Sequence, residues 1–217
     1  MRPTQPSEPN PTKQAILDKA LELFAVHGYT AVSIRMLARA VGIRESSIYH
    51  HYDGKDAIFQ ALLDRALALA TAWQERFNQA LEGVRAVEED AFVQAGLGYV
   101  LGYLLDKDIY PLVAMLRHEK PHNEKAAALH RSLMFDLPLS HHRKVFAALT
   151  ERDLLREEAP ELLAAEYQAL ILYAFEKYLS GPDAASEAAR AQAADELSAL
   201  LRRFYRRHLQ APNTDPS

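Results

Sequence analysis

Apolar residues recur at helical spacing along almost the whole chain, and the breaks between the repeats are marked by glycine and proline. From Thr12 to about His27, the residues Ile16, Ala20, Leu23, Phe24 and His27 make one face, widened by Leu17 and Leu21, and Gly28 ends the run. After Tyr29 to Val32, Ser33 stands where an N-cap belongs. Ile34, Leu37, Ala38 and Val41 then follow at the i, i+3, i+4, i+7 spacing, and Gly42 closes the second helix. A short third helix restarts at about Arg44 and carries Ser46, Ser47, Tyr49, His50, His51 and Tyr52. Two short helices around a glycine turn read as a helix-turn-helix, whose second helix can enter the major groove of DNA.

The pattern continues as helix after helix. Asp53-Gly54 is a turn signal, and Lys55 opens a long helix to about Leu81 with no linker before it, which predicts rigid coupling of the head to the body of the chain. Beyond Gly83, Glu88–Leu105 reads as a helix interrupted by Gly96, Gly98 and Gly102, which either permit close packing or leave space beside Tyr99 and Tyr103. Ile109 to about Glu119 is next, with Pro111 tolerated in its first turn. Asn123–Asp136 comes after it, stopped or kinked by Pro138, and then Leu139 to about Leu155. Glu161–Leu179 is apolar nearly all round, so it is expected to be buried on several sides. After Gly181-Pro182, Asp183–Leu209 is a long alanine-rich helix ending in Arg202, Arg203, Arg206, Arg207 and His208. No stretch reads as a strand. The expected class is all-α: a three-helix helix-turn-helix head over 12–54 and a body of about six helices over 55–210. A disordered arm (1–11) and tail (211–217) are expected at the ends.

Composition narrows the possibilities. The chain has 217 residues and is 49% hydrophobic, enough for a sizeable core. It contains no cysteine, which removes disulfides and thiolate chemistry and fits a cytoplasmic protein. No apolar run approaches the ~20 residues that cross a bilayer, and the N-terminus lacks the apolar core of a secretory signal. The net charge of −4 is uneven. Residues 1–55 carry seven Lys/Arg against five Asp/Glu, and the remainder carries 18 against 24. That is the direction a DNA-binding head needs.

The head resembles the TetR family of bacterial transcriptional repressors over about residues 12–60. The shared pattern is Gly28-Tyr29, Ser33, Leu37-Ala38, Gly42, Ser47-Ile48-Tyr49, Tyr52 and Lys55, in order and at the right spacing. Two positions depart from it. Arg44 stands where the family usually caps the recognition helix with Ser or Thr, and Glu45 stands where a basic residue is common.

The resemblance implies a repressor that binds a pseudo-palindromic operator as a dimer and is released by a small effector. Under it, Arg44, Ser46, Ser47 and His50 face base edges or flanking phosphates, and Tyr49, His51, Ser33 and Lys55 go mainly to phosphates. Glu45 either accepts from cytosine N4 or pairs locally with Arg44. Tyr52 is expected to pack the head, and Arg35 and Arg39 to be solvated helix charges. Tyr99, Tyr103, Met115, His118, Phe135 and Tyr173 are candidate lining of an effector pocket, which points to an apolar or aromatic effector. Helices 161–179 and 183–209 are the expected homodimer interface.

Other readings carry less. His118 and His122 are four apart with Pro121 between them, and His141-His142 are adjacent. Neither arrangement makes a metal site, these are expected to be surface histidines, and no cofactor is implied. No phosphate loop, nucleophile elbow or carboxylate pair supports an enzyme. An all-α enzyme, or a helical interaction module without DNA binding, remains the alternative.

Overall fold

A computed structural model describes residues 10–81, 87–155, 159–181 and 186–209. The expected tail, the break at Gly83, Pro182 and all of the expected arm but Asn10 and Pro11 lie outside the described residues. Ten α-helices are described: α1 (Pro11–His27), α2 (Ile34–Val41), α3 (Glu45–His51), α4 (Lys55–Leu81), α5 (Glu89–Leu97), α6 (Ile109–Glu119), α7 (Glu124–Arg131), α8 (Leu137–Thr150), α9 (Pro160–Ala174) and α10 (Glu187–His208). Among the described residues the only β-type pairing is an isolated bridge between Leu155 and Leu209. Contacts divide the chain into two compact units, residues 1–68 with 111–130, and residues 69–110 with 131–217.

The first unit is built around the head. Asn10 caps α1, its side chain accepting from Thr12 N at 3.1 Å and Lys13 N at 3.2 Å. Pro11 takes the first helical position, where a missing N–H costs nothing. Ile16, Ala20 and Phe24 of α1, Leu37 and Ala38 of α2, Ile48 of α3 and Ile58 and Leu62 of α4 are buried together in this unit. Leu112, Met115 and Leu116 of α6 and Ala126 of α7 are buried as well. A three-helix head is small for a stable core, and α6 and α7 enlarge the unit to which it belongs.

In the second unit an aromatic cluster ties α5, α8, α9 and α10. The Phe92 and Phe204 rings stack at 5.8 Å, and Tyr167 and Phe146 stand edge-on to one another at 5.7 Å. Gly96 sits where α5 crosses α10: a Cβ there would lie 2.4 Å from Leu201 Cδ1 and 2.9 Å from the Tyr167 hydroxyl. Gly98 and Gly102 are different, since a Cβ at either would meet nothing within 4 Å. Of the two uses expected for these glycines, close packing belongs to Gly96 and open space to the other two. Arg202 and Arg206 of α10 reach Glu89 at the start of α5, at 3.0 and 2.9 Å, and Arg202 also reaches Asp90 at 2.7 Å. Two arginines of the basic C-terminal cluster thus join two helices, beyond any service to their own helix dipole.

Three helices end in wider π-helical turns, Gly98–Leu104 after α5, Ser132–Asp136 after α7 and Phe175–Leu179 after α9. Of the stop or kink expected at Pro138, the second rules out the stop. The chain passes through this turn directly into α8 with helical backbone at Asp136 and Leu137, and the carbonyl of Met134, which the missing N–H of Pro138 leaves open, accepts from Gln168 Nε2 at 2.8 Å. α8 ends at Thr150 rather than near Leu155, with Asp153 in the left-handed region at φ 55°.

Gly96→Ala and Gly98→Ala should part company. Gly98 has helical backbone and free space, so alanine there should add about 0.5–1 kcal/mol of stability. At Gly96 the clash with Leu201 and Tyr167 should outweigh that gain and cost about 1–3 kcal/mol. Denaturant midpoints at unchanged slope measure both.

His141 and His142, expected at the surface, are instead buried on α8, and they supply a second test. Burial pushes His142 down to about 3 and His141 down to about 4, so both are neutral in the fold. The unfolded chain protonates them near the ordinary pKa of about 6.5. The folded values are depressed, so stability should fall as the pH drops below about 6.5 and level off only near the folded values. Denaturant midpoints from pH 7 to 5 should fall in the native protein and fall less in His142→Gln.

Candidate nucleic-acid interface and body cleft

The geometry of the head is set by two glycines and one cap. Ser33 accepts from Met36 N at 3.2 Å and starts α2. Gly42 takes the left-handed conformation at φ 79°, ψ 29°, and its N–H and that of Ile43 both donate to Ala38 O at 3.0 Å. Ala38 is buried and small, which lets α3 cross close to α2. Ile48 and Tyr52 point α3 inward: Ile48 is fully buried, and the Tyr52 hydroxyl donates to Lys13 O at 3.3 Å. Burial pushes the Tyr52 phenol up to about 12, as expected for a packing residue.

The opposite face of α3 is open. Arg44, Glu45, Ser46, Tyr49 and His50 are exposed, Tyr49 by 56%, and Ser47 and His51 are half-buried. Seven of the eight residues expected at DNA therefore stand on α3, at its cap or at the cap of α2, with Ser33 exposed beside them. Arg44 does occupy the cap position of α3, with extended backbone and no side-chain cap hydrogen bond. No ion pair joins Arg44 to Glu45 among the described residues. Of the two readings of Glu45, the local pair finds no support. The carboxylate lies in the first turn of α3, where the helix dipole favours it.

Lys55 is the exception, and its expected phosphate role conflicts with where its amine lies. Its Nζ donates to Tyr29 O at 2.7 Å, Val32 O at 2.8 Å and Thr30 O at 3.5 Å, and it stands 4.2 Å from the centre of the Tyr29 ring. An ammonium has three N–H donors, and the α1–α2 loop occupies them.

The same loop is held from the other side by a residue that sequence reasoning missed. Glu119, the last residue of α6, is buried and accepts from Tyr29 N at 2.6 Å. His118, expected in an effector pocket, lies over Gly28 instead. A Cβ at Gly28 would come within 2.5 Å of the imidazole, and φ is +79° there. The Tyr29 ring packs against Phe24 at 5.3 Å and Phe59 at 4.8 Å, and its hydroxyl donates to Asp56. Burial and the Asp56 carboxylate hold the phenol well above its usual range.

In the second unit a cleft of about 430 Å³ is lined by Leu69, Trp73, Arg76, Gly102, Tyr103, Asp106, Asp108 and Ile109. A smaller recess adjoins Trp73 and Tyr103 and reaches Tyr99, Leu133, Leu137 and Pro138. The Trp73 ring lies 5.0 Å from both Tyr99 and Tyr103. Of the six residues expected to line a pocket, Tyr99 and Tyr103 are the two found in this cleft and recess. Met115 is core of the first unit. Phe135 is 43% exposed, and Tyr173 is 46% exposed with its hydroxyl 3.1 Å from Glu196. Among the missed lining residues, Trp73 and Asp106 come from a helix and a turn far apart in sequence.

Residues 16–62 match the family model described as bacterial regulatory proteins, tetR family. The head, over these residues, is thus similar to the TetR family. The transcriptional regulator UidR of Escherichia coli is 32% identical over 84 residues, which is 38% of this chain and 40% of that protein. The chain thus matches well under half the length of such curated relatives. The likeness in fold runs further. SmeT of Stenotrophomonas maltophilia, solved with triclosan, superposes with a TM-score of 0.70 at 15% identity, covering 96% of this chain and 98% of that one. A candidate transcriptional regulator of Saccharomonospora viridis, solved with choline, gives a TM-score of 0.64 at 20% identity over 92% and 97%.

Removing either hand on the Tyr29 peptide should loosen the head. Lys55→Met and Glu119→Gln should each lower stability by about 1–3 kcal/mol, since each removes a charged partner of a backbone group. The salt dependence of DNA binding by Lys55→Met should keep its slope. A slope lower by about one would return Lys55 to a phosphate.

Proposed function

We propose that this protein is a transcriptional regulator that binds a pseudo-palindromic operator as a homodimer and represses until a small effector releases it. One observation carries the reading: α3 of a TetR-family head turns Arg44, Ser46, Tyr49 and His50 outward while Ile48 and Tyr52 anchor it inward. Such a helix lies in the major groove, with hydroxyls and the exposed phenol on phosphates and few side chains on base edges. Arg44 supplies the charge at the groove, and Glu45 favours a cytosine N4. Such a protein acts in the cytoplasm.

Dimerisation is assigned to α9 and α10. Leu162, Ala165, Ala169 and Tyr173 lie on one stripe of α9 and are exposed in the single chain, Leu162 by 68%. Paired with a second copy, that stripe and the alanine-rich α10 form a four-helix bundle. A C2 dimer then sets two α3 helices about one DNA turn apart, ~34–36 Å.

The effector site is assigned to the cleft at Trp73 and Tyr103. The neighbours in fold were solved with triclosan and with choline, one aromatic and one small and cationic. α6 carries Ile109 of the cleft at its first residue and Glu119, which holds Tyr29, at its last. A ligand that prefers one placement of α6 therefore acts on the peptide that braces the head. This is a population shift driven by differential affinity.

Operator selection from random DNA with the purified protein should return a two-fold sequence whose affinity falls steeply with salt. Arg44→Ala should weaken that binding by about 1–3 kcal/mol. Selection of no sequence would refute the regulator. Ala169→Glu should yield a monomer that no longer holds the operator, and a native protein sedimenting as a monomer at micromolar concentration would remove the dimer mechanism.

A further inference from the structure

The body cleft carries more charge than an apolar effector requires. Three charged side chains line it, Arg76, Asp106 and Asp108. Asp108 is paired with Lys107 at 3.0 Å. The exposed Arg76 folds back on α4, its Nε donating to Ala72 O at 3.3 Å. Asp106 is left without a cationic partner among the described residues. Its Oδ1 accepts the N–H of Asp108, at 2.8 Å.

Beside this carboxylate stand two aromatic rings. Trp73 and Tyr103 are 5.0 Å apart and inclined at 37°. Gly102, next to Tyr103, adds no side chain to the cleft it lines. Burial raises the Tyr103 phenol above its ordinary range, and the Asp106 charge raises it further, so this carboxylate acts on the aromatic wall.

We infer that the effector is an organic cation, an aryl or alkyl onium compound whose charge lies against Asp106 and whose apolar body lies against Trp73 and Tyr103. This rests on the effector-binding reading of the cleft and narrows it. An onium ion gains from both the carboxylate and the ring faces. A neutral ligand of the same shape would cover Asp106 and leave it desolvated without a partner, and an anion would be repelled. The cleft volume falls in the range of about 300–1,000 Å³ that drug-sized ligands occupy.

Trp73 is the one tryptophan of the chain, so its fluorescence reports on the wall of the cleft. The test titrates the full-length protein in sodium buffer with tetraphenylphosphonium, the isosteric anion tetraphenylborate, and neutral triphenylphosphine oxide. Operator binding is measured in parallel. The phosphonium should perturb Trp73 saturably and bind at least about tenfold more tightly than the other two. Asp106→Asn keeps the oxygen that accepts from Asp108 N, so the turn should stand, and it should cost about tenfold for the cation alone. Equal or tighter binding of the neutral or anionic probe, or indifference of the cation to Asp106→Asn, would overturn the onium class and leave the effector reading standing. If no probe perturbs Trp73 or operator binding, both the class and the cleft as effector site fall.

Discussion

The head depends on how the backbone of one residue, Tyr29, is held. Tyr29 N–H donates to the buried carboxylate of Glu119, and Tyr29 C=O accepts from Lys55, so the loop between α1 and α2 is fixed at both polar ends. The ring fills the space between Phe24 and Phe59 and carries the Lys55 ammonium on its face. A loop of six residues, 28 to 33, has little hydrophobic area with which to fix itself. Charge-assisted hydrogen bonds supply the direction that apolar contact cannot. The aim of α3 depends on this loop, because it sets where Ser33 can begin α2.

With the loop fixed, α3 needs little else. Seven residues make a helix too short to be stable alone, so packing must hold it. Ile48 and Tyr52 supply that packing, and Ala38 lets α2 approach. The cap position is then free of structural duty, which is why Arg44 can stand where a hydroxyl would ordinarily accept from the open N–H groups. Glu45 offsets part of the loss through the helix dipole. The departure from the family pattern is thus a change on the exposed face of α3, and it leaves the packing that holds the head untouched.

The body is built differently. Its aromatic cluster and the crossing at Gly96 make a dense core, while the π-helical turn Gly98–Leu104 and the side-chain-free positions Gly98 and Gly102 leave room on the other side of the same segment. Burial keeps His141 and His142 neutral at physiological pH, so these histidines belong to the packed wall and not to a charged site.

Much of this was legible in the residues. Helical periodicity with Gly28, Gly42 and Pro160 as punctuation marks the helices to within a few residues, because a 3.6-residue repeat and a positive φ are local demands. The outward face of α3 was readable for the same reason: Ile48 and Tyr52 are four apart and share one face, so Tyr49 and His50 point away from it. Sequence could not place Lys55, whose amine found three carbonyls over 20 residues upstream, or Glu119, which lies 90 residues from the N–H it accepts. Nor could it tell Gly96 from Gly98, since one meets Leu201 and the other meets nothing. Pattern and local stereochemistry settle which segments are helices and which face of α3 is free. Only the tertiary structure decides which charges are engaged, because a hydrogen bond between distant residues leaves no periodic trace in the chain.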